Sequence, residues 1–258
     1  MGYTNSKLVT YKRISPNRNS PRNHKIDTIT IHCMAGNLSV ETCGNVFAPS
    51  SAKASSNYGI GSDGRIAMYV EEKDRSWASS SSTNDNRAIT IEVANDGGAP
   101  DWHVSDKAMK SLINLITDIC KRNDIKELKW KADKSLIGDV DKQNMTVHRW
   151  FKNKACPGDY LYNKHYYIAE EVNKKLGVKK DTNKSNTIDK SDSKSKKSYR
   201  VKLLDDLNIR KTPNGDIVKK NGAKEGHVYT VVETQGNWGR LKSGAGWISV
   251  SSKYVKKI

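Results

Sequence analysis

The first regular pattern of apolar and polar positions falls at Ile26–Cys33, where IDTITIHC alternates Ile with Asp and Thr. A period of two predicts a strand, because successive side chains then face opposite sides of a sheet. Ser39–Phe47 reads as a helix, with Ser39 as N-cap and Thr42 three residues on. Tyr58–Ile60 and Arg65–Val70 flank the turn Ser62-Asp63-Gly64 and predict a hairpin. Ala88–Ala94, AITIEVA, is rich in β-branched residues and predicts another strand. Ser105 opens an amphipathic helix running to Asn123, with Leu112, Ile113, Leu115, Ile116 and Ile119 on its buried side. Met145–Val147 reads as a short strand leading into His148, and Pro157–Leu176 as a last helix opened by its proline. Strands interleaved with helices predict an α/β domain.

The pattern then stops. Gly177–Ser198 reads GVKKDTNKSNTIDKSDSKSKKS, with too few apolar residues to offset the entropy of ordering. A disordered Lys/Ser-rich linker is therefore expected over 178–198, between a first domain at 1–177 and a second at 199–258. In the second, short β-rich runs at 201–203, 207–209, 216–218, 228–233, 238–241 and 246–250 alternate with turn residues. The turns are assigned to Pro213-Asn214-Gly215, Asn221-Gly222 and Ser243-Gly244. Many short strands with close turns predict a small all-β barrel.

Composition narrows the function classes. No run of about 18 apolar residues exists, so membrane insertion is not expected. The opening MGYTNSKLVTYKRIS lacks an apolar segment, which predicts synthesis in the cytoplasm without a secretory signal. The net charge of +17 points to a polyanionic partner. It divides as +6 over 1–177, +4 over 178–198 and +7 over 199–258. Nucleic acid and an anionic cell wall both fit on charge. No helix-turn-helix, RNP or zinc-finger string supports nucleic acid. Of the four cysteines, Cys33, Cys43 and Cys120 sit in apolar or helical contexts and read as small buried hydrophobes, with no CxxC pair among the four.

Three residues could carry chemistry. His32 ends a strand, His148 follows another, and Cys156 stands just before Pro157-Gly158. Imidazole and thiolate are ligand types that zinc prefers, and three protein ligands leave a fourth position for water. By residue type alone, two satisfied core histidines and a buried thiol explain the same positions.

The surrounding strings decide between these readings. TITIHCM at 28–34, SNYGIGSDG at 56–64, ITIEVAN at 89–95 and TVHRWFKNKACPGD at 146–159 occur in this order. Together they resemble the zinc-dependent N-acetylmuramoyl-L-alanine amidases, a family that includes phage endolysins and shares its fold with animal peptidoglycan recognition proteins. The resemblance covers roughly residues 5–177. It implies a central mixed β-sheet flanked by helices. It also implies one Zn2+ per chain held by His32, His148 and Cys156, Glu92 as general base, and Lys154 stabilising the oxyanion. Other branches place Asp at the Cys156 position. One branch uses a tyrosine near residue 56, where this sequence has Ser56 and, two positions on, Tyr58. Tyr58 and Trp77 are the weaker candidates for substrate binding, and packing explains Trp77 equally well.

The strings LNIRKTPNGDIV and GNWGRLKSGAGWISVSSKYVKKI resemble bacterial SH3 domains and imply cell-wall binding by residues 199–258. The activity implied is hydrolysis of the amide between N-acetylmuramic acid and L-alanine by zinc-activated water. The implied partners are peptidoglycan and anionic wall polymers, reached from the cytoplasm once the membrane is breached. A cytoplasmic amidase recycling wall fragments and a non-catalytic peptidoglycan-binding protein are the alternatives. The first leaves residues 199–258 without a role, and the second does not need three filled ligand positions.

Overall fold

The computed structural model describes residues 3–178, 198–213 and 215–258. The segment read as a linker lies outside the described residues except at its two ends. The chain divides into two compact units, Met1–Val178 and Lys179–Ile258.

The first unit is an α/β domain. Its elements are β1 (Tyr11–Lys12), β2 (Arg18–Asn19), β3 (Thr28–Cys33), α1 (Val40–Phe47), β4 (Tyr58–Ile60), β5 (Ile66–Met68), β6 (Arg75–Ser76), α2 (Ser82–Arg87), β7 (Ala88–Val93), α3 (Asp106–Arg122), β8 (Met145–Val147) and α4 (Gly158–Leu176). The central sheet runs β1-β5-β4-β7-β3-β8. It is mixed, since β4 and β5 pair antiparallel while β4-β7-β3-β8 are parallel.

All six residues of β3 are buried, as expected for a strand covered on both faces. The alternation in β5 shows the two layers. Ile66 and Met68 join the main core with Leu112, Leu115, Ile116 and Ile119 of α3, and Ala67 joins a second cluster with Val40, Cys43 and Phe47 of α1. The capping expectations hold in detail, with Ser39 Oγ accepting from the Thr42 N–H and Ser105 Oγ from the Ala108 N–H. Each satisfies a helix-end donor that no preceding turn can reach.

Several boundaries differ from the sequence reading. The first long strand starts at Thr28 rather than Ile26. Pro157 caps α4 from outside instead of forming its first turn, and Gly158 takes a φ of +82. A β-carbon there would meet Trp102 Cβ at 2.6 Å, so glycine is required by both backbone and space. The strands β1, β2 and β6 are two residues each and show no periodicity to read. The helix α2, STNDNR, is polar throughout and shows no apolar face.

The second unit is all-β. Its strands are β9 (Tyr199–Leu203), β10 (Leu207–Arg210), β11 (Ile217–Ala223), β12 (Val228–Gln235), β13 (Trp238–Leu241), β14 (Trp247–Ser249) and β15 (Val255–Lys257). They form one sheet ordered β11-β10-β14-β13-β12-β9-β15 around Val201, Leu203, Ile209, Val231, Leu241 and Ile248. Asn221-Gly222, read as a turn, lies inside β11, where register shifts against β10 absorb the irregular backbone. The strand β15 was absent from the sequence reading because Val255 is its only inward apolar residue.

Candidate metal centre and active site

Register places the site. His32 on β3 pairs directly with Glu92 on β7, and Ile31 pairs with Val147, the residue before His148. Three parallel strands therefore deliver His32, Glu92 and His148 at their carboxyl ends, where an open α/β sheet leaves a crevice. The chain after β8 folds back to bring in the third candidate. The Phe151 N–H donates to the His148 carbonyl and the Arg149 N–H to the Cys156 carbonyl, at 2.9 and 3.1 Å. The Cys33 N–H lies 3.5 Å from Cys156 Sγ.

The structure thus brings His32, His148 and Cys156 together, with one donor atom from each lying within 4.8 Å of the others. Cys156 Sγ is 3.4 Å from His32 Nδ1, and the two imidazole rings lie 5.2 Å apart. Among the described residues, no other group of His, Cys, Asp or Glu converges in this way. His32 Nε2 is buried with no hydrogen-bond partner.

Burial, followed by the charge of His148, lowers the His32 pKa to about 3. Burial, then Lys154, lowers that of His148. Both rings are therefore neutral at ordinary pH, with the lone pairs that metal ligation needs. Hydrogen bonding with Cys33, then burial, holds the Cys156 thiol above its ordinary range. Two neutral imidazoles and a convergent thiol fit a divalent zinc-type ion.

Glu92 stands beside this cluster. Its side chain is 16% exposed, its Oε1 lies 3.9 Å from His32 Nδ1, and its Oε2 has no partner. Burial, then Cys33, raises its pKa well above the usual carboxylate range. Its protonated form is therefore favoured more than that of a surface glutamate. Lys154 is exposed two residues before Cys156, close enough for its charge to act on His148.

Tyr58 is not available to a substrate. It is fully buried, its hydroxyl donating to Glu72 Oε1 at 2.6 Å and accepting from the Ser6 N–H. Glu72 is paired in turn with Arg122. The expectation that Tyr58 contacts substrate is therefore corrected, because its polar end is consumed inside the core. Trp77 is half-buried and lines a cleft of about 300 Å3 together with Lys53, Arg75, Ser80, Ser82 and His148. A larger cavity, about 620 Å3, lies at the other end of the strands beside Ile26, Asp27 and Asn144 and contains none of the candidate residues.

Sequence reasoning missed the supports of the site. Ser80 has a φ of +64 and places its hydroxyl 3.2 Å from His148 Nε2. Beneath it, Asn84 of α2 donates to Thr30 Oγ1, and the Thr146 hydroxyl donates to Asn84 Oδ1. Thr30 and Thr146 each precede a candidate histidine by two residues, so this buried network braces both strands behind the site. The run Ser79–Ser82 offered no contrast by which Ser80 could have been singled out.

Fold and site together fit a hydrolase with a candidate metal centre: an α/β sheet with a mixed nitrogen and sulfur donor set and a buried carboxyl beside it. The chain belongs to the N-acetylmuramoyl-L-alanine amidase family, whose model matches residues 22–159. It is thus a peptidoglycan-hydrolysing amidase. Among solved structures, a selenomethionine derivative of AmpD is 16% identical with a TM-score of 0.49, over 66% of this chain and 99% of that one. The endolysin amidase LysCS from Clostridium intestinale is 18% identical with a TM-score of 0.42, over 69% and 100%. The Staphylococcus aureus hydrolase AmiA, solved with its ligand, is 15% identical with a TM-score of 0.48, over 64% and 82%. A search of the curated proteins found no match.

Proposed function

We propose that the chain is a zinc amidase that cuts the bond between the lactyl group of N-acetylmuramic acid and the L-alanine of the stem peptide. The convergence of His32, His148 and Cys156 within 4.8 Å carries this reading. A zinc ion held by these three residues supplies Lewis acidity and an acidified water. Glu92 takes a proton from the attacking water and returns it to the leaving amine of L-alanine. Lys154 offers positive charge to the carbonyl oxygen as it becomes anionic. Trp77 forms a wall of the cleft beside His148 and would contact the substrate there.

The second unit is the wall-targeting module of this reading, of the bacterial SH3 type. Lys202 on β9 lies directly opposite Lys256 on β15, both exposed, with Arg200 on the same face. Like charges facing each other across strands disfavour the fold by themselves. Among the described residues, none of these three forms an ion pair, so an anionic wall polymer would relieve the repulsion. The enzyme is proposed to act at the wall as a lysin, once the membrane no longer separates it from its substrate.

Digestion of purified walls tests the activity. The expected products are free L-alanine amino termini without new reducing sugars. New reducing ends alone would overturn the assignment.

A further inference from the structure

Arg149 lies between the second and third candidate ligands in sequence and touches the segment of both. Its backbone N–H donates to the Cys156 carbonyl at 3.1 Å. Its Nη2 donates to the Ala155 carbonyl at 2.6 Å, and Nη1 and Nη2 both reach Asp159 Oδ1 at 3.3 Å. The guanidinium also lies over the Tyr162 ring, with Cζ 4.8 Å from the centroid. One side chain anchored on the His148 turn therefore grips the residue before Cys156 and the first turn of α4 after it.

The grip adds to a small set of other bonds on this segment, chiefly the Gly158 N–H to the Ala155 carbonyl at 2.9 Å and the Cys33 N–H to Cys156 Sγ at 3.5 Å. Lys152, Asn153, Lys154 and Ala155 are all exposed, and Ala155 brings only a methyl group to any packing. Cys156 is only half-buried. His32, by contrast, is set by a fully buried central strand with partners on both sides. The third ligand thus comes from a more exposed segment than His32 does, and the planar guanidinium fork supplies directed bonds there that a lysine cannot duplicate.

We infer that Arg149 is a positioning residue for the metal centre, holding the Ala155–Cys156 segment so that the thiolate meets the two imidazoles. This rests on the proposed metal role of His32, His148 and Cys156. Outer residues that orient a ligand typically cost 10–100-fold in metal affinity when removed. Arg149→Ala is expected to fall in that range, and Arg149→Lys, which keeps one donor, to recover part of the loss. Asp159→Asn removes the charge from one arm of the grip, leaving an amide oxygen that accepts more weakly and sparing the Ala155 bond, and is expected to weaken binding less than Arg149→Ala.

The test uses the full chain, stripped of metal and titrated with zinc and with cobalt(II). Zinc affinity is read by competition with a chelator, and the sulfur-to-cobalt charge-transfer band reports whether Cys156 still ligates. The expected result is graded loss of affinity in the order Ala, Lys, wild type, with the cobalt–sulfur band weakened or displaced in Arg149→Ala. A role confined to general stability would lower the melting temperature of the metal-free protein and leave the band unchanged. If wild type binds cobalt with a sulfur band and Arg149→Ala matches it in affinity and spectrum, the positioning role is wrong. If wild type itself shows no cobalt–sulfur band, the metal assignment is what fails. Should Arg149→Ala not fold, unchanged affinity and band in both Arg149→Lys and Asp159→Asn would equally overturn the inference.

Discussion

His32 and Glu92 occupy the same register position on adjacent parallel strands, with His32 Nδ1 3.9 Å from Glu92 Oε1. One residue is a candidate ligand and the other a candidate acid–base group, so strand pairing places the two side chains next to each other. Glu92→Gln keeps the size of the side chain and removes its ability to carry a proton. Turnover on purified wall should fall by about 10²–10⁴, the usual worth of a positioned acid–base group. Zinc content and melting temperature should stay near wild type. Near-normal turnover with full zinc would remove Glu92 from the mechanism.

Cys156 is the ligand most easily tested by substitution. Cys156→Ala should lose both metal and lysis, since a short bond and a negative charge disappear together. Cys156→Asp keeps a charged donor and should retain measurable zinc. A chelator should abolish wild-type activity, with recovery on adding zinc. Stoichiometric zinc in purified Cys156→Ala would show that the sulfur is not a ligand.

Lys154 is exposed, so its removal should leave the fold untouched while reducing kcat. Loss of one group that stabilises an oxyanion costs about 10²–10³ in kcat. Lys154→Ala should show that loss with little change in KM. A matching rise in KM at constant kcat would instead mark it as a substrate-binding residue.

His165 gives a prediction for stability. It is fully buried, in tilted ring contact with Trp130 at 4.4 Å, and hydrogen-bonded through Nδ1 to the Leu161 carbonyl. Burial lowers its pKa from 6.5 to about 4. The unfolded chain then takes up a proton that the folded chain refuses, so stability is full above about pH 6.5 and is lost as pH falls towards 4. The effect should approach about 3 kcal/mol at the acid end, at 1.36 kcal/mol per pKa unit. His165→Phe should flatten the dependence of melting temperature on pH between 4 and 6.5. An unchanged slope would show that His165 does not set it.

A chain ending at Leu176 should still cleave small soluble wall fragments but bind whole walls more weakly. Linked modules raise the effective concentration of one another at a surface. Residues 199–258 alone should sediment with walls at low salt and be released by added salt, because exposed charges are screened. Lys202→Glu with Lys256→Glu should abolish this salt-sensitive binding. Sedimentation that ignores both salt and these substitutions would exclude the cationic face from wall binding.

The local pattern of the sequence determined the elements with long periods and explicit caps. The strands Thr28–Cys33 and Ala88–Val93 were legible from their runs of β-branched Ile, Thr and Val, and the helix Asp106–Arg122 because one-sided burial forces a period of 3.6 on its residues. The ligand types and Glu92 were legible because imidazole, thiol and a carboxyl between Ile91 and Val93 carry chemistry in any context, and the family strings gave them roles. Tertiary structure alone decided which polar groups are free to act. Tyr58 and Glu92 both lie in strands of one sheet, yet Glu72 and Ser6 consume the hydroxyl of the first. The second keeps an oxygen without a partner. It also decided the supports: Ser80 reaches His148 across 68 positions, Cys33 reaches Cys156 across 123, and Asn84 joins Thr30 to Thr146. Such partners are set by strand order and chain reversal, which bring together residues whose spacing along the chain has no period, so no local pattern encodes them.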